Sequence, residues 1–132
     1  MNLIKKIIIV DDDGIVNYVT EKLLHHYNNT YEINTYTNPL NALENLQLKD
    51  KYHEDLPDLI FLDINMPQIS GYEFLNRMTE SKLAHKIQVI MFTSSGSPND
   101  IKLSKSYRNV IGYMEKPFSS DAYERVLEMS YN

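Results

Sequence analysis

Five residues with chemically useful side chains share one kind of position in this chain. Asp11 and Asp12, Asp63, Thr93 and Lys116 each come at or just after the end of a short apolar run. The runs are Ile7-Ile8-Ile9-Val10, Leu59-Ile60-Phe61-Leu62, Ile87 to Phe92 and Val110 to Met114. An isolated ionised carboxylate is costly to bury. Asp63, directly behind four apolar residues, therefore belongs at the end of its run, where it can meet solvent, a cation or a charged partner. On its own it could equally begin a turn, where aspartate is common. Carboxylates held close together repel, and a hard divalent cation relieves that repulsion. Mg2+ suits the role, using one or two carboxylates together with waters and phosphate oxygens. A lysine has no obvious place beside such a cation unless something anionic binds as well. A phosphoryl group between Mg2+ and Lys116, with the Thr93 hydroxyl donating to another of its oxygens, resolves the charges. Aspartate is itself a nucleophile toward phosphoryl groups, and such transfer is mainly positioning and charge neutralisation.

These residues can meet only on a particular scaffold. Continuous apolar runs this short fit strands buried on both faces, as in a parallel sheet. Between them lie helical patterns. Asp13 is the expected N-cap of a first helix with Ile15, Val16, Val19, Leu23 and Tyr27 at helical spacing. Tyr31 to Tyr36 is a weaker, β-rich stretch suited to a sheet edge. Asn38-Pro39 has the form of an N-cap followed by proline at the first helical position, with Leu40, Leu43 and Leu46 continuing a second helix. Lys49 to Asp58 is polar and fits a long surface connection. Ser70-Gly71-Tyr72-Glu73 has capping-box spacing before Phe74, Leu75 and Met78. Ser97 to Asp100 opens a short polar fourth helix, and Ser120 or Asp121 is the expected cap of a last helix with Tyr123, Val126 and Leu127 inward. Strict β–α alternation implies a parallel sheet with helices on both faces. Right-handed crossovers put every strand end on one side, where open α/β sheets bind their ligands.

Composition agrees with one folded domain spanning residues 1–132. Hydrophobic residues make up 42% and charged residues 23% of 132 residues, with a net charge of -5. Nucleic-acid binding calls for a basic surface, so no direct DNA partner is expected. Cysteine is absent, so neither a disulfide framework nor a thiolate metal site exists. No stretch is long and apolar enough for a membrane span or a signal peptide, which suggests a cytoplasmic protein with no membrane partner. The histidines His25, His26, His53 and His85 show no metal-ligand spacing.

In order along the chain, Val10-Asp11-Asp12, Asp63 with Met66-Pro67 and Gly71, Thr93-Ser94, and Tyr113 three residues before Lys116-Pro117-Phe118 resemble the receiver domain of two-component response regulators, of the stand-alone chemotaxis-regulator kind. The resemblance covers essentially the whole chain. It implies a flavodoxin-like (βα)5 fold with strand order 2-1-3-4-5. It also implies roles: Asp63 as phosphoacceptor, with Asp12, the Asp63 carboxylate and the backbone carbonyl of Asn65 on Mg2+, and Asp11 acting through water. Lys116 would hold a phosphoryl oxygen, Thr93 and Tyr113 would form a switch pair, and Lys116-Pro117 would be a cis peptide. The implied partners are a sensor histidine kinase or phosphotransfer protein and a phosphorylation-dependent protein that binds the face of the fourth helix, fifth strand and fifth helix. No output domain is expected, and no enzymatic activity beyond slow self-dephosphorylation. Arg108-Asn109 departs from the glycine common before the fifth strand. Two other functions compete. A Mg2+-dependent phosphatase working through an aspartyl-phosphate has its acids two apart after the first strand and carries a cap insertion; here the acids are adjacent. An unphosphorylated receiver-like binding module usually lacks the acceptor, the lysine or an acid, all of which are present here.

Overall fold

The central apolar run becomes β3 (Leu59–Leu62), every residue of which is buried, because strands pair with it on both sides and helices cover both its faces. The computed structural model describes residues 3–130. In chain order the elements are β1 (Lys6–Val10), α1 (Gly14–Tyr27), β2 (Glu32–Tyr36), α2 (Pro39–Lys51), β3, α3 (Gly71–Glu80), a 3-10 turn (Leu83–His85), β4 (Gln88–Thr93), α4 (Pro98–Ser104), β5 (Val110–Glu115) and α5 (Ser120–Ser130). The strands form one sheet in the order β2-β1-β3-β4-β5, all parallel. This is the flavodoxin-like arrangement expected from the sequence.

Strand alternation divides the core in two. Ile8, Val10, Ile60 and Leu62 face α2 and α3, where they meet Leu43, Leu46, Phe74 and Met78. Ile7, Ile9, Leu59 and Phe61 face α1 and α5, where they meet Leu24, Ala122 and Val126. β2 is an edge strand with no fully buried residue, which matches its weak apolar pattern. One irregularity interrupts the ladder. Val89 pairs with Val110 but Ile90 pairs with Gly112, so Ile111 is an extra residue in β5.

Helix starts follow the expected capping chemistry. The Asp13 carboxylate accepts from the amides of Ile15 and Val16, Asn38 caps α2 ahead of Pro39, and the Ser70 hydroxyl accepts from the Glu73 amide. The Glu73 side chain pairs with Arg77 one turn on, so the capping box is only half made. For α5 the cap is Ser119, whose hydroxyl accepts from the Ala122 amide, instead of Ser120 or Asp121. α2 continues to Lys51, which shortens the polar connection to residues 52–58. Asn109, in the pair that departs from the receiver-like pattern, is buried and donates its side-chain amide to the Ile87 carbonyl.

The apolar stripes of two helices are turned from where periodicity places them. In α1, Ile15 is 76% and Val19 46% exposed, while Asn17, Thr20 and Leu24 are buried. The cause is Asn17, whose side-chain amide donates to the carbonyls of Asp11 and Tyr36 and so turns that face of the helix inward. In α2, Leu40 lies on the exposed side, and Ala42 takes an inward place beside Leu43 and Leu46.

Candidate functional site

Strand register brings the predicted residues together. Val10 pairs with Leu62, so Asp11 and Asp63, one residue further on, emerge side by side. The Asp63 amide continues the ladder by donating to the Val10 carbonyl, and the Asp11 amide donates to the Tyr36 carbonyl. Thr93 pairs with Glu115, and the Lys116 amide donates back to the Thr93 carbonyl. The Lys116-Pro117 bond is cis, as the resemblance implies.

Asp11 is buried and Asp63 is only 6% exposed, whereas Asp12 and Asn65 lie open to solvent. The Asp11 Oδ1 accepts from the Asp13 amide at 2.9 Å, and its Oδ2 is ion-paired with Lys116 Nζ. The Asp63 Oδ1 accepts from the Ile64 amide at 2.8 Å, and its Oδ2 lies 3.3 Å from the same ammonium. One oxygen from each of Asp11, Asp12 and Asp63 lies within 4.8 Å of the others. Among the described residues this is the only such cluster of potential ligands, and none of the histidines joins it. An all-carboxylate set of hard oxygens, with one member open to water, fits Mg2+.

Electrostatics follow from burial. Desolvation holds the Asp11 carboxyl above its ordinary range, against the lowering effects of Lys116 and the Asp13 amide, and the charge of Asp63 adds to the rise. For Lys116, burial alone would favour the neutral amine. The hydrogen bond and charge of Asp11 and the charge of Asp63 outweigh it, so its pKa rises above the ordinary lysine value. The ammonium is therefore firmly charged and already bridges two acids.

Thr93 is fully buried at the end of β4, with its hydroxyl 3.4 Å from the Ser95 amide. Tyr113 on β5 is half-buried, and its hydroxyl donates to the Ser95 carbonyl at 2.6 Å. Burial raises the pKa of that phenol.

The sequence reading missed two residues here and the structural role of a third. Asn17 ties the end of β1 to α1; a polar residue inside an apolar helical stripe was the signal. Ser95 receives Tyr113, and nothing in a polar loop marks it. Gly71, named in the sequence only within the capping-box stretch and the receiver-like motifs, has a tertiary role: a Cβ there would run into the Asp63 carbonyl oxygen and lie 3.1 Å from the Ile64 Cα. Both are backbone atoms, so neither can turn aside. Gly71→Ala is expected to cost about 1–3 kcal/mol in urea unfolding, the usual range for overpacking, and to displace Asp63. A variant as stable as the wild type would show that the contact is relaxed at no cost.

The family model of the response regulator receiver domain matches residues 7–128. The chain belongs to the response regulator receiver domain family, and its acidic pocket is of the kind phosphoacceptor members carry. It is 32% identical over 88 residues to the probable methanogenesis regulatory protein FilR2 of Methanothrix harundinacea, covering 66% of this chain and 56% of that protein. The chain spans about half the length of the curated relatives it matches. A two-component response regulator from Cytophaga hutchinsonii superposes with a TM-score of 0.85 at 25% identity, covering 99% of this chain and 100% of that one. Response regulator protein TrrA from Thermotoga maritima, solved in complex with Mg2+ and BeF, gives a TM-score of 0.71 at 27% identity, covering 95% and 98% of the two chains. No helix among the described residues is long and apolar enough to cross a membrane.

Proposed function

We propose that Asp63 accepts a phosphoryl group from a phosphohistidine of a sensor histidine kinase or phosphotransfer protein. The observation that carries this reading is a nearly buried carboxylate held beside a charged lysine and two further acids at the mouth of the sheet. In the transfer, a bond forms between an Asp63 carboxylate oxygen and phosphorus, and the donor's P–N bond breaks. The electron pair of that bond stays on the imidazole, which takes up a proton. Lys116 neutralises an equatorial oxygen, and the Thr93 hydroxyl donates to another. Asp12, Asp63 and the Asn65 carbonyl would hold Mg2+, with Asp11 acting through water; the ion would supply charge neutralisation for the entering group. Beside the pocket, the exposed Ile15 and Val19 help line an apolar cleft of about 170 Å3 that also includes Lys116, Pro117 and Phe118. Such an apolar rim favours a protein as donor. The phosphorylated form would act through α4, β5 and α5 on a protein partner, in the cytoplasm, with Thr93 and Tyr113 as the moving pair and no catalysis beyond slow loss of the phosphoryl group. Neither rival function is favoured, since the acids after β1 are adjacent and acceptor, lysine and acids are all in place.

Incubation with acetyl phosphate and Mg2+ followed by intact-mass measurement tests the reading; a chain that gains no phosphoryl group contradicts it. A second expectation concerns the metal alone. At about 100 times its dissociation constant, Mg2+ should stabilise the fold by about 2.7 kcal/mol, roughly 10 °C in melting temperature for a domain of this size. Asp12→Ala should lose most of that rise, and an undiminished rise would remove Asp12 from the ligand set.

A further inference from the structure

Outside the phosphoryl pocket, the Asp100 carboxylate, in the first turn of α4, receives two side-chain hydroxyls from other elements. Its Oδ1 accepts from the Tyr72 hydroxyl at 2.8 Å and its Oδ2 from the Ser95 hydroxyl at 2.7 Å. Tyr72 stands in the first turn of α3, so the carboxylate joins two helices and the loop between β4 and α4. The phenol is itself held firmly. Its ring stacks on Tyr107 with centroids 6.4 Å apart and planes 19° apart, and the Tyr107 hydroxyl donates to Asn76 at 2.9 Å.

Ser95 is the node at the other end. Its hydroxyl accepts from the Ser97 amide, and its amide approaches the Thr93 hydroxyl. Its carbonyl is the acceptor for the Tyr113 hydroxyl. Little else holds this region: α4 is 7 residues long, and Ser104 is its only buried residue. A carboxylate in the first turn of a helix has an ordinary explanation in the helix dipole. Here, however, both oxygens are taken by side chains from outside the helix. The hydroxyls of Ser95 and Tyr72 also hold the Asp100 carboxyl below its usual range, as expected when the charged form receives both donors.

We infer that Asp100 and Tyr72 are positioning residues that fix Ser95, and through its carbonyl the Tyr113 hydroxyl, tying α4 to α3. The inference rests on the proposed function in one respect: Thr93 and Tyr113 carry the phosphorylation signal to the α4, β5 and α5 face. On that footing, the tie sets how firmly α4 and Tyr113 move together, and a chain without it would relay the signal poorly.

Tyr72→Phe is the sharpest test, since it keeps the ring and its stacking on Tyr107 and removes only the hydroxyl. In 15N NMR spectra of the full chain, amide hydrogen exchange across residues 95–101 should quicken about tenfold, and the Ser95 and Tyr113 signals should shift. Asp100→Ala should do the same and more, and Asp100→Asn, which keeps one acceptor for Tyr72, should fall between. With Mg2+ and beryllofluoride added in place of a phosphoryl group, the shift changes at Tyr113 should shrink in Tyr72→Phe relative to wild type. Unchanged exchange together with unchanged Tyr113 signals in Tyr72→Phe would overturn the inference and leave Asp100 as a helix-dipole residue only. The exchange arm uses no phosphoryl donor, so its failure is separate from a failure of Asp63 to become labelled.

Discussion

Asp63→Asn is expected to leave the chain folded but unable to take up a phosphoryl group from acetyl phosphate and Mg2+, which the wild type should gain. Asparagine keeps the shape of the side chain, and its amide oxygen can still accept from the Ile64 amide that now binds Asp63 Oδ1. What it lacks is a nucleophilic carboxylate oxygen. Lys116 keeps Asp11 as an ion-pair partner, so the fold does not depend on the substituted charge. Asp11 is a poor substitute acceptor: it is 1% exposed, and its two oxygens are already engaged by Lys116 and the Asp13 amide. Asp12 is open to solvent but has no ion pair with Lys116 among the described contacts. Intact mass after matched incubations reads the outcome directly. Full labelling of the variant would move the acceptor to another residue and undo the assignment.

The second large effect is on stability. Lys116→Met keeps the length of the side chain and removes its charge, leaving Asp11 and Asp63 side by side without a cation. Side-chain exposure is 16% for Lys116 and 2% for Asp11, so solvent screens the pair little. Breaking such a pair from one side costs about 3–5 kcal/mol, measured by urea unfolding without divalent metal. Dependence on pH gives the signature. The Asp11 carboxyl is already raised by burial, and without Lys116 it rises further. A carboxyl raised in the folded state costs stability when ionised, and that cost disappears as pH falls through its folded value toward the unfolded one. The deficit of Lys116→Met should therefore be largest at neutral pH and much smaller at about pH 4. In the wild type the sign is opposite for the lysine. Its raised pKa means the pairing is fully present below the ordinary lysine value and is lost only as strongly alkaline pH passes the folded one. A deficit of equal size at both pH values would mean that the substitution acts through packing and not through the unpaired acids.

Much of this pocket was legible because its strands leave little choice. A run such as Leu59 to Leu62 has no polar side to show, so it must be covered on both faces, and an acid directly behind it must be at the end. The same reasoning placed Asp11, Thr93 and Lys116. The faces of α1 and α2 were less legible, because periodicity counts apolar residues and cannot see hydrogen bonds. Asn17 is buried because its amide donates to two strand-end carbonyls, and its burial turns Ile15 and Val19 outward. Gly71 was visible as a glycine, but its closeness to the Asp63 carbonyl is a distance between elements that no local pattern encodes. The links from Tyr72 and Asp100 to Ser95 join residues up to 28 positions apart through side chains that are individually ordinary.

The extra residue in β5 has an effect on the sign of the charge that enters the pocket. Because Ile111 is looped past the ladder, Thr93 lies opposite Glu115, and the next residue to emerge is Lys116. Pairing continued without that irregularity from Val89 and Val110 would set Thr93 opposite Met114, and the residue emerging beside Asp11 and Asp63 would be Glu115. A fourth acid would then stand where the ammonium now bridges two, in a pocket whose acids already repel one another. One residue of slack in an edge strand thus places an ammonium, and not a fourth carboxylate, beside Asp11 and Asp63.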